Sequence, residues 1–513
     1  MSEISSSNKK RLVSNSFFLT VRMLLLMIIS FYTTRVVLEK LGFVDYGIYS
    51  VVGGLSSMFI FFRSSLSNVT QRYLNIELGK GDIDGARCVF CQHQTMYIVI
   101  AVVIVVLLET IGLWFLYKKL VVPSERLSAA FWVFQFMVVS LMVTLLSVVY
   151  NSAIVAHEDF KIYAYISIFE GISKLIIALI LGITHYDRLI TYGLLLVLLS
   201  VMVQFFYMKF CRRHYQECRF QFNFNKQSIK ETFGMIGWNT AGTAVHAINT
   251  QGLDILLNLY FGPVVNAAKS ISNRVNQAVM VFTDSFYTSV RPQLTKSYAA
   301  EDFEFMMRLF YQSSKYGFFI LWVVSLPTML CIDTLLSLWL GQVPAHTTSF
   351  SILVIVYSLV NVLNDPIWSL ALSIGKLKWY IIIGSSVFLM SFPISYVFLC
   401  LGYAAESVFI ANAAVRAVYI LVVIHIIRQY VPISRKNYLK TVVLPIVVVV
   451  LLSGGLSFAF KSFISAFRFQ WLFVASFSVS IAAICIWSIG LQDNERKFFV
   501  KLIREKVFKK RQN

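Results

Sequence analysis

The stretch Asn266–Pro292, NAAKSISNRVNQAVMVFTDSFYTSVRP, decides how the chain is read. It is long enough to cross a bilayer as one helix, since about 20 residues suffice. Yet it carries Lys269, Arg274 and Asp284, with Asn266, Asn273, Asn276 and Gln277 among them. Asn266, Lys269, Asn273, Asn276/Gln277, Met280 and Asp284 step by three or four residues, so a helix places them on one face, with Arg274 beside it. A charge at mid-bilayer costs about 2.5–3.5 kcal/mol on insertion scales, so such a face needs a partner, a route to the interface or a wet cavity.

The rest of the chain makes the membrane reading firm. Of 513 residues, 58% are hydrophobic and 14% charged, against about 25% charged in soluble domains. Continuous apolar runs recur from end to end, which selects helices over an alternating β-barrel. The predicted fold class is an all-α polytopic membrane protein with about fourteen spans: 12–36, 43–66, 94–117, 127–150, 162–183, 189–208, 232–257, 264–290, 313–339, 348–371, 379–400, 405–427, 441–460 and 469–490. The net charge of +20 is then a topology signal and not a nucleic-acid one. With both termini cytoplasmic, most Lys and Arg fall on the cytoplasmic side. Arg496, Lys497, Lys501, Arg504, Lys506, Lys509, Lys510 and Arg511 lie in the tail, and Arg212, Arg213, Arg219, Lys226 and Lys230 lie in the 209–231 loop. The first apolar run lacks a cleavage-site pattern and is read as a retained span.

No loop is large enough for a catalytic domain, and there is no Gly-rich phosphate loop followed by Lys-Ser/Thr. The chain is therefore not read as an enzyme or as its own ATPase, and no cofactor is expected. The seven cysteines are scattered. Cys88-Val-Phe-Cys91 has no second pair at zinc spacing, and His214 between Cys211 and Cys218 is read with reduced, inert thiols and no metal.

An internal repeat organises the spans. LGFVDYGIYSVVGGLSSMFIFFRSSLSNVTQRYLNIELGKGD from Leu41 aligns without a gap on FGPVVNAAKSISNRVNQAVMVFTDSFYTSVRPQLTKSYAAED from Phe261, at a constant shift of 220 positions. Gly42 meets Gly262, Val44 meets Val264, Phe62 meets Phe282, Leu74 meets Leu294 and Asp82 meets Asp302. The expected organisation is a first six-span lobe over 1–208, a basic cytoplasmic linker over 209–231, a second lobe over 232–428, extra spans 13 and 14 over 429–490 and a basic tail over 491–513. An even number of spans per copy makes the repeats parallel, and transporters built that way hold substrate between the halves.

The intramembrane charges point to the substrate. Glu170 and Lys174 pair at i,i+4, and Arg35, Lys315 and Arg416 are expected to snorkel. Arg22 and Arg63 sit inside apolar runs with no carboxylate at i±3 or i±4. Span 7 adds a stripe of Asn239, Thr243, His246, Thr250 and Asp254. Interhelical hydrogen-bond glue explains isolated polar residues; several cations together suit an anion-receiving cavity. The candidate substrate-binding residues are Arg22, Arg63, Lys269, Asn273, Arg274, Asn276 and Gln277. Arg suits phosphate through its bidentate fork, Asn and Gln suit sugar hydroxyls, and the extra apolar spans suit a lipid tail. His246, Asp254 and Asp284 are the candidates for a coupling cation or proton.

The stretch LVSNSFFLTVRMLLLMIISFYTTRVVLEKLGFVDYGIYSVVGGLSSM (Leu12–Met58) and the loop RPQLTKSYAAED (Arg291–Asp302) resemble the Wzx-type polysaccharide flippases of the MOP exporter superfamily, over about residues 8–430. That resemblance implies a V-shaped pair of six-helix lobes in the bacterial inner membrane. It implies flipping of undecaprenyl-diphosphate-linked oligosaccharide from the cytoplasmic to the periplasmic leaflet for O-antigen, capsule or exopolysaccharide synthesis. Membrane lipids, a polysaccharide polymerase and glycosyltransferases are the implied partners. Family members carry cavity arginines on the first, second and eighth spans, where Arg22, Arg63 and Arg274 stand here. The lipid II branch has extra final helices that form a groove for the lipid tail, which suggests that role for spans 13 and 14. Competing readings are a lipid II flippase-like protein, a MATE-like cation-coupled antiporter, for which acidic lining is expected, and a membrane polymerase or ligase, for which a large extracytoplasmic loop is expected.

Overall fold

The computed structural model of the chain describes residues 2–57, 59–157, 159–219, 245, 249–374, 377–464, 469–497 and 500. His246, most of the 209–231 linker, the tail from 501 and the side chain of Arg22 lie outside the described residues. The described chain is helical, with no strand. Its helices are α1 (Ser2–Ser57), α2 (Ile60–Lys80), α3 (Ile83–Leu107), α4 (Leu113–Lys118), α5 (Leu127–Ala156), α6 (Phe160–Ile180), α7 (Arg188–His214), α8 (249–261), α9 (Pro263–Ala299), α10 (Phe303–Leu330), α11 (Ile332–Leu340), α12 (Thr347–Asn361), α13 (Asn364–Ile374), α14 (Leu377–Leu389), α15 (Ser391–Cys400), α16 (Glu406–Ile427), α17 (Arg435–Tyr438), α18 (Leu444–Phe463) and α19 (Gln470–Cys485). Among the described residues, nine helices are long and apolar enough to cross a membrane; a tenth is counted if α10 and α11, bent by 75°, form one span.

The shift of 220 reappears in the backbone. α1 is two helices meeting at Gly42, whose φ is +78°; Gly262, between α8 and α9, has φ +79°. Only glycine adopts this conformation without strain, so the sequence match at these positions has a steric cause. Gly81 (φ +75°) and Glu301 (φ +55°) also correspond. Asp82 and Asp302 then cap α3 and α10, accepting from the backbone N–H of Gly85 at 2.8 Å and Phe305 at 3.0 Å. These caps start the third and ninth spans about ten residues earlier than apolar content alone predicts, because capped polar turns extend each helix beyond its greasy core. α5 and α12 start at matched positions, and α6 and α15 end at matched positions.

The chain divides into two compact units, Met1–Ile271 and Ser272–Asn513. In the first, α5 packs on α2, α3 and α7, and α1 packs on α6. One end is clamped by Arg126, which bonds Asp45 at 2.5 and 2.8 Å and Asp187 at 2.5 and 3.2 Å. Burial alone would push the Asp187 carboxyl up, but hydrogen bonds from Arg126 and from the backbone N–H groups of Leu189 and Ile190 hold it below its ordinary value. Elsewhere in this unit, His157 Nε2 lies 2.5 Å from Glu217 Oε1, and its ring stacks on Tyr215 at 4.0 Å.

In the second unit, α16 packs on α12, α14 and α15. The α18–α19 hairpin docks on α10. Trp322 Nε1 donates to Ser453 Oγ at 2.9 Å, and Lys461 Nζ donates to the Leu330 carbonyl at 2.6 Å. Lys315 and Glu495 form an ion pair of 2.6 Å, 2% and 6% exposed. This corrects the expectation that Lys315 snorkels: its partner lies 180 residues away in sequence and is invisible to a local helical rule.

Candidate functional site

The opening stretch is one unbroken helix, α9, so its polar residues do stand in a stripe. Burial changes along it. Asn266 and Lys269 are buried, Asn273, Arg274 and Asn276 are half-buried, and Gln277 and Asp284 are exposed.

The buried end belongs to the first unit. The turn that places it is held by Asn258, whose Oδ1 accepts from the Val121 N–H at 2.8 Å and whose carbonyl accepts from the Gly262 N–H at 2.8 Å. α9 then returns alongside α8. Lys269 Nζ stands 2.9 Å from Asp254 Oδ1, with side chains 6% and 17% exposed. It also donates to the Thr250 carbonyl at 3.3 Å. Asn266 Nδ2 donates to the Asp254 carbonyl at 2.8 Å, while its buried Oδ1 has no partner among the described residues. The same end of α9 closes against the second half of α1. A Cβ on Gly47 would come within 1.9 Å of the Pro263 carbonyl oxygen, and Tyr46 Oη and Ser270 Oγ share a hydrogen bond of 3.3 Å.

The remaining α9 candidates belong to the second unit. Asn276 Oδ1 accepts from Ser358 Oγ at 2.7 Å, and Arg274 makes a long contact of 3.4 Å to Gln277. Arg274 has no carboxylate partner among the described residues, and neither does Arg63 in the first unit, which is exposed. Asp284 lies in the field of Arg291.

A further charge cluster in the second unit is absent from the sequence candidates. The tenth span breaks between Asn361 and Asn364, and Asp365 and Pro366 open α13 beyond the break. Tyr287 Oη donates toward the Val362 carbonyl at 3.2 Å, which also accepts from the Asp365 N–H at 3.3 Å. Asp365 lies in the field of Arg291, Asp284 and Arg416. Arg416 is 7% exposed, its guanidinium 4.3 Å from the Tyr419 ring centroid and 5.3 Å from that of Phe388. This corrects the expectation that Arg416 reaches the interface: two aromatic faces hold the cation inside, as cation–π geometry allows. Tyr419 Oη donates to Tyr380 Oη at 3.2 Å, which in turn donates to Asn364 Oδ1 at 3.0 Å. The Asn-Asp-Pro triplet inside an apolar run was the available signal, since broken membrane helices gather at ion and substrate sites.

No family model matches the chain, and no curated relative matches it. Solved structures do match. A "Lipid II flippase MurJ" in an inward closed conformation is similar with TM-score 0.70 and 13% identity, over 92% of this chain and 98% of that one. An inward-facing "multidrug resistance MATE family transporter of the MOP superfamily" matches with TM-score 0.63 and 14% identity, over 80% and 97%. An outward-facing structure of such a transporter matches with TM-score 0.54 and 15% identity, over 81% and 95%. At these identities the likeness is one of fold: the chain shares the fold of these flippase and MATE structures.

Proposed function

We propose that the protein is a flippase for a lipid-linked anionic glycan, a polyprenyl-diphosphate oligosaccharide used in surface polysaccharide synthesis, moved by alternating access along a cationic path. The observation that carries this is the sign of the uncompensated charge. Arg63 and Arg274 have no carboxylate partner among the described residues. Of the candidate carboxylates, Asp254 is ion-paired with Lys269 at 2.9 Å, and Asp284 has Arg291 in its field without an ion pair among the described residues. Unmatched cations in apolar spans call for an anion, and arginine suits phosphate best. A cation-binding antiporter needs the opposite balance, which counts against the MATE-like reading. The named activity of the MurJ structure supports a lipid-linked substrate.

On this reading the protein lies in the bacterial inner membrane with both termini cytoplasmic. Arg22 joins Arg63, Arg274, Asn273, Asn276 and Gln277 in receiving phosphate and sugar. A lipid II-type substrate is the second reading, favoured by the α18–α19 hairpin and the coverage of the MurJ structure. The test is identification of the lipid-linked sugar that accumulates in a deletion strain, with complementation by single variants. Arg63→Ala and Arg274→Ala should insert at wild-type levels and lose at least tenfold in export. Full complementation by both contradicts the proposal.

A further inference from the structure

We infer that Lys269 is an anion-exchange position: Asp254 is its resident anion, and a phosphate group of the substrate is the one that displaces it. The inference rests on the flippase reading and adds a role for Asp254 that a coupling-ion or packing assignment lacks.

Three observations carry it. The pair is buried, with side chains 6% and 17% exposed. A buried pair is a poor device for stability alone, because apolar residues of similar size serve as well or better. Among the described residues Lys269 is also under-bonded. An ammonium has three donors, and among those residues they meet one carboxylate oxygen and one carbonyl at 3.3 Å. Beside it, Asn266 is 1% exposed and its Oδ1 accepts nothing from the described residues, while its Nδ2 holds the backbone of Asp254. A buried acceptor without a donor marks a site whose polar demand the protein does not fill.

The position gives the exchange a purpose. Lys269 lies six residues beyond Pro263, about 9 Å along the helix at the rise of an α-helix. It is therefore just beneath the closure of Gly47 on Pro263 and Tyr46 on Ser270. On the proposed sidedness this is the extracytoplasmic end, where substrate leaves. A phosphate reaching Lys269 takes the ammonium from Asp254. When the carboxylate takes it back, the phosphate is expelled and α8 and α9 return to the geometry that closes on α1. The lysine is paired at every stage, so no lone buried cation arises. The displaced Asp254 carboxylate stays on α8, so the site carries the added negative charge of the phosphate while substrate is bound, and repulsion between the two anions drives the return.

The test uses the full chain in proteoliposomes, with a fluorescent polyprenyl diphosphate as transport probe and inorganic pyrophosphate as binding probe. Lys269→Gln should slow translocation at least tenfold. Asp254→Asn should also slow it, while binding pyrophosphate about tenfold more tightly, because no resident anion competes. The double variant Asp254→Asn/Lys269→Gln should recover thermal stability without recovering transport. Lys269→Arg, which keeps both pairings, should retain transport and covers the case in which neutral variants fold poorly. Transport at the wild-type rate by the double variant, or weaker pyrophosphate binding by Asp254→Asn, overturns the exchange. So does loss of transport by folded Lys269→Arg. Arg274→Ala in the same assay separates the two claims. If it is impaired while the double variant is normal, only the exchange fails; if it is normal too, the cationic path fails with it.

Discussion

Lys315 shows how a buried cation in a membrane protein is held by a carboxylate distant in sequence. Its partner Glu495 is 2.6 Å away, and Glu495 also accepts from the Gln492 N–H at 2.8 Å. Removing one member of such a buried pair strands the other charge and costs about 3–5 kcal/mol. Lys315→Met should therefore lower the thermal midpoint in detergent by more than Lys315→Met/Glu495→Gln does; equal losses would mean that the pair is not coupled. Asp187 provides a pH-dependent counterpart. Its carboxyl is held low, so its contribution is full above the ordinary Asp range, near 3.9, and is lost as pH falls through the lowered folded value. Asp187→Asn should destabilise by about 1 kcal/mol at pH 7, the usual cost of a weakened N-cap. The gap between the variant and wild-type midpoints should narrow as pH falls through the lowered folded value. At this scale the sequence was half legible. The stripe on α9 could be read from spacing, because a helix fixes which residues share a face. The fates of Lys315 and Arg416 could not, because Glu495, Tyr419 and Phe388 meet them only after folding.

Elements repeat more faithfully than residues. Arg126 clamps Asp187 in the first unit; His346, 220 positions beyond Arg126, meets Glu406, one residue short of the position matching Asp187, with Nδ1 2.8 Å from Oε1. Bulk is exchanged between copies in a similar way. Tyr97 of α3 donates to the Leu66 carbonyl at 2.8 Å. The position matching Tyr97 is Gly317, and there Tyr287, from the facing helix α9, fills the space and approaches the Ser313 carbonyl at 3.3 Å. A Cβ on Gly317 would meet Tyr287 Oη at 1.9 Å. Gly317→Ala should destabilise by about 1–3 kcal/mol, as overpacking does. Adding Tyr287→Leu should return most of that loss in the thermal midpoint, and no recovery would mean that the clash is relieved elsewhere. The repeat was legible because Gly42 and Gly262 both need a positive φ. The break in the tenth span had a signal in Asn364-Asp365-Pro366, but the apolar composition on both sides of it reads as one continuous span.

At the scale of the molecule, each unit is a helical bundle with its own buried core, and the hairpin of α18 and α19 is fastened to α10 by polar contacts at Ser453, Lys461 and Glu495. The fold class was readable because continuous apolar runs leave the backbone no alternative to helices. For the substrate the sequence offers only a sign of charge: the proposed anion rests on cations in apolar spans, which do not name a glycan. The central claim is that this sign selects a lipid diphosphate. The most direct measurement is translocation of a fluorescent polyprenyl-diphosphate sugar by the purified protein in proteoliposomes, beside an uncharged polyprenyl alcohol and a cationic dye. We predict transport of the diphosphate alone, reduced at least tenfold by Arg63→Ala/Arg274→Ala. Transport of the cationic dye, or diphosphate transport at the wild-type rate by the double variant, would contradict the account.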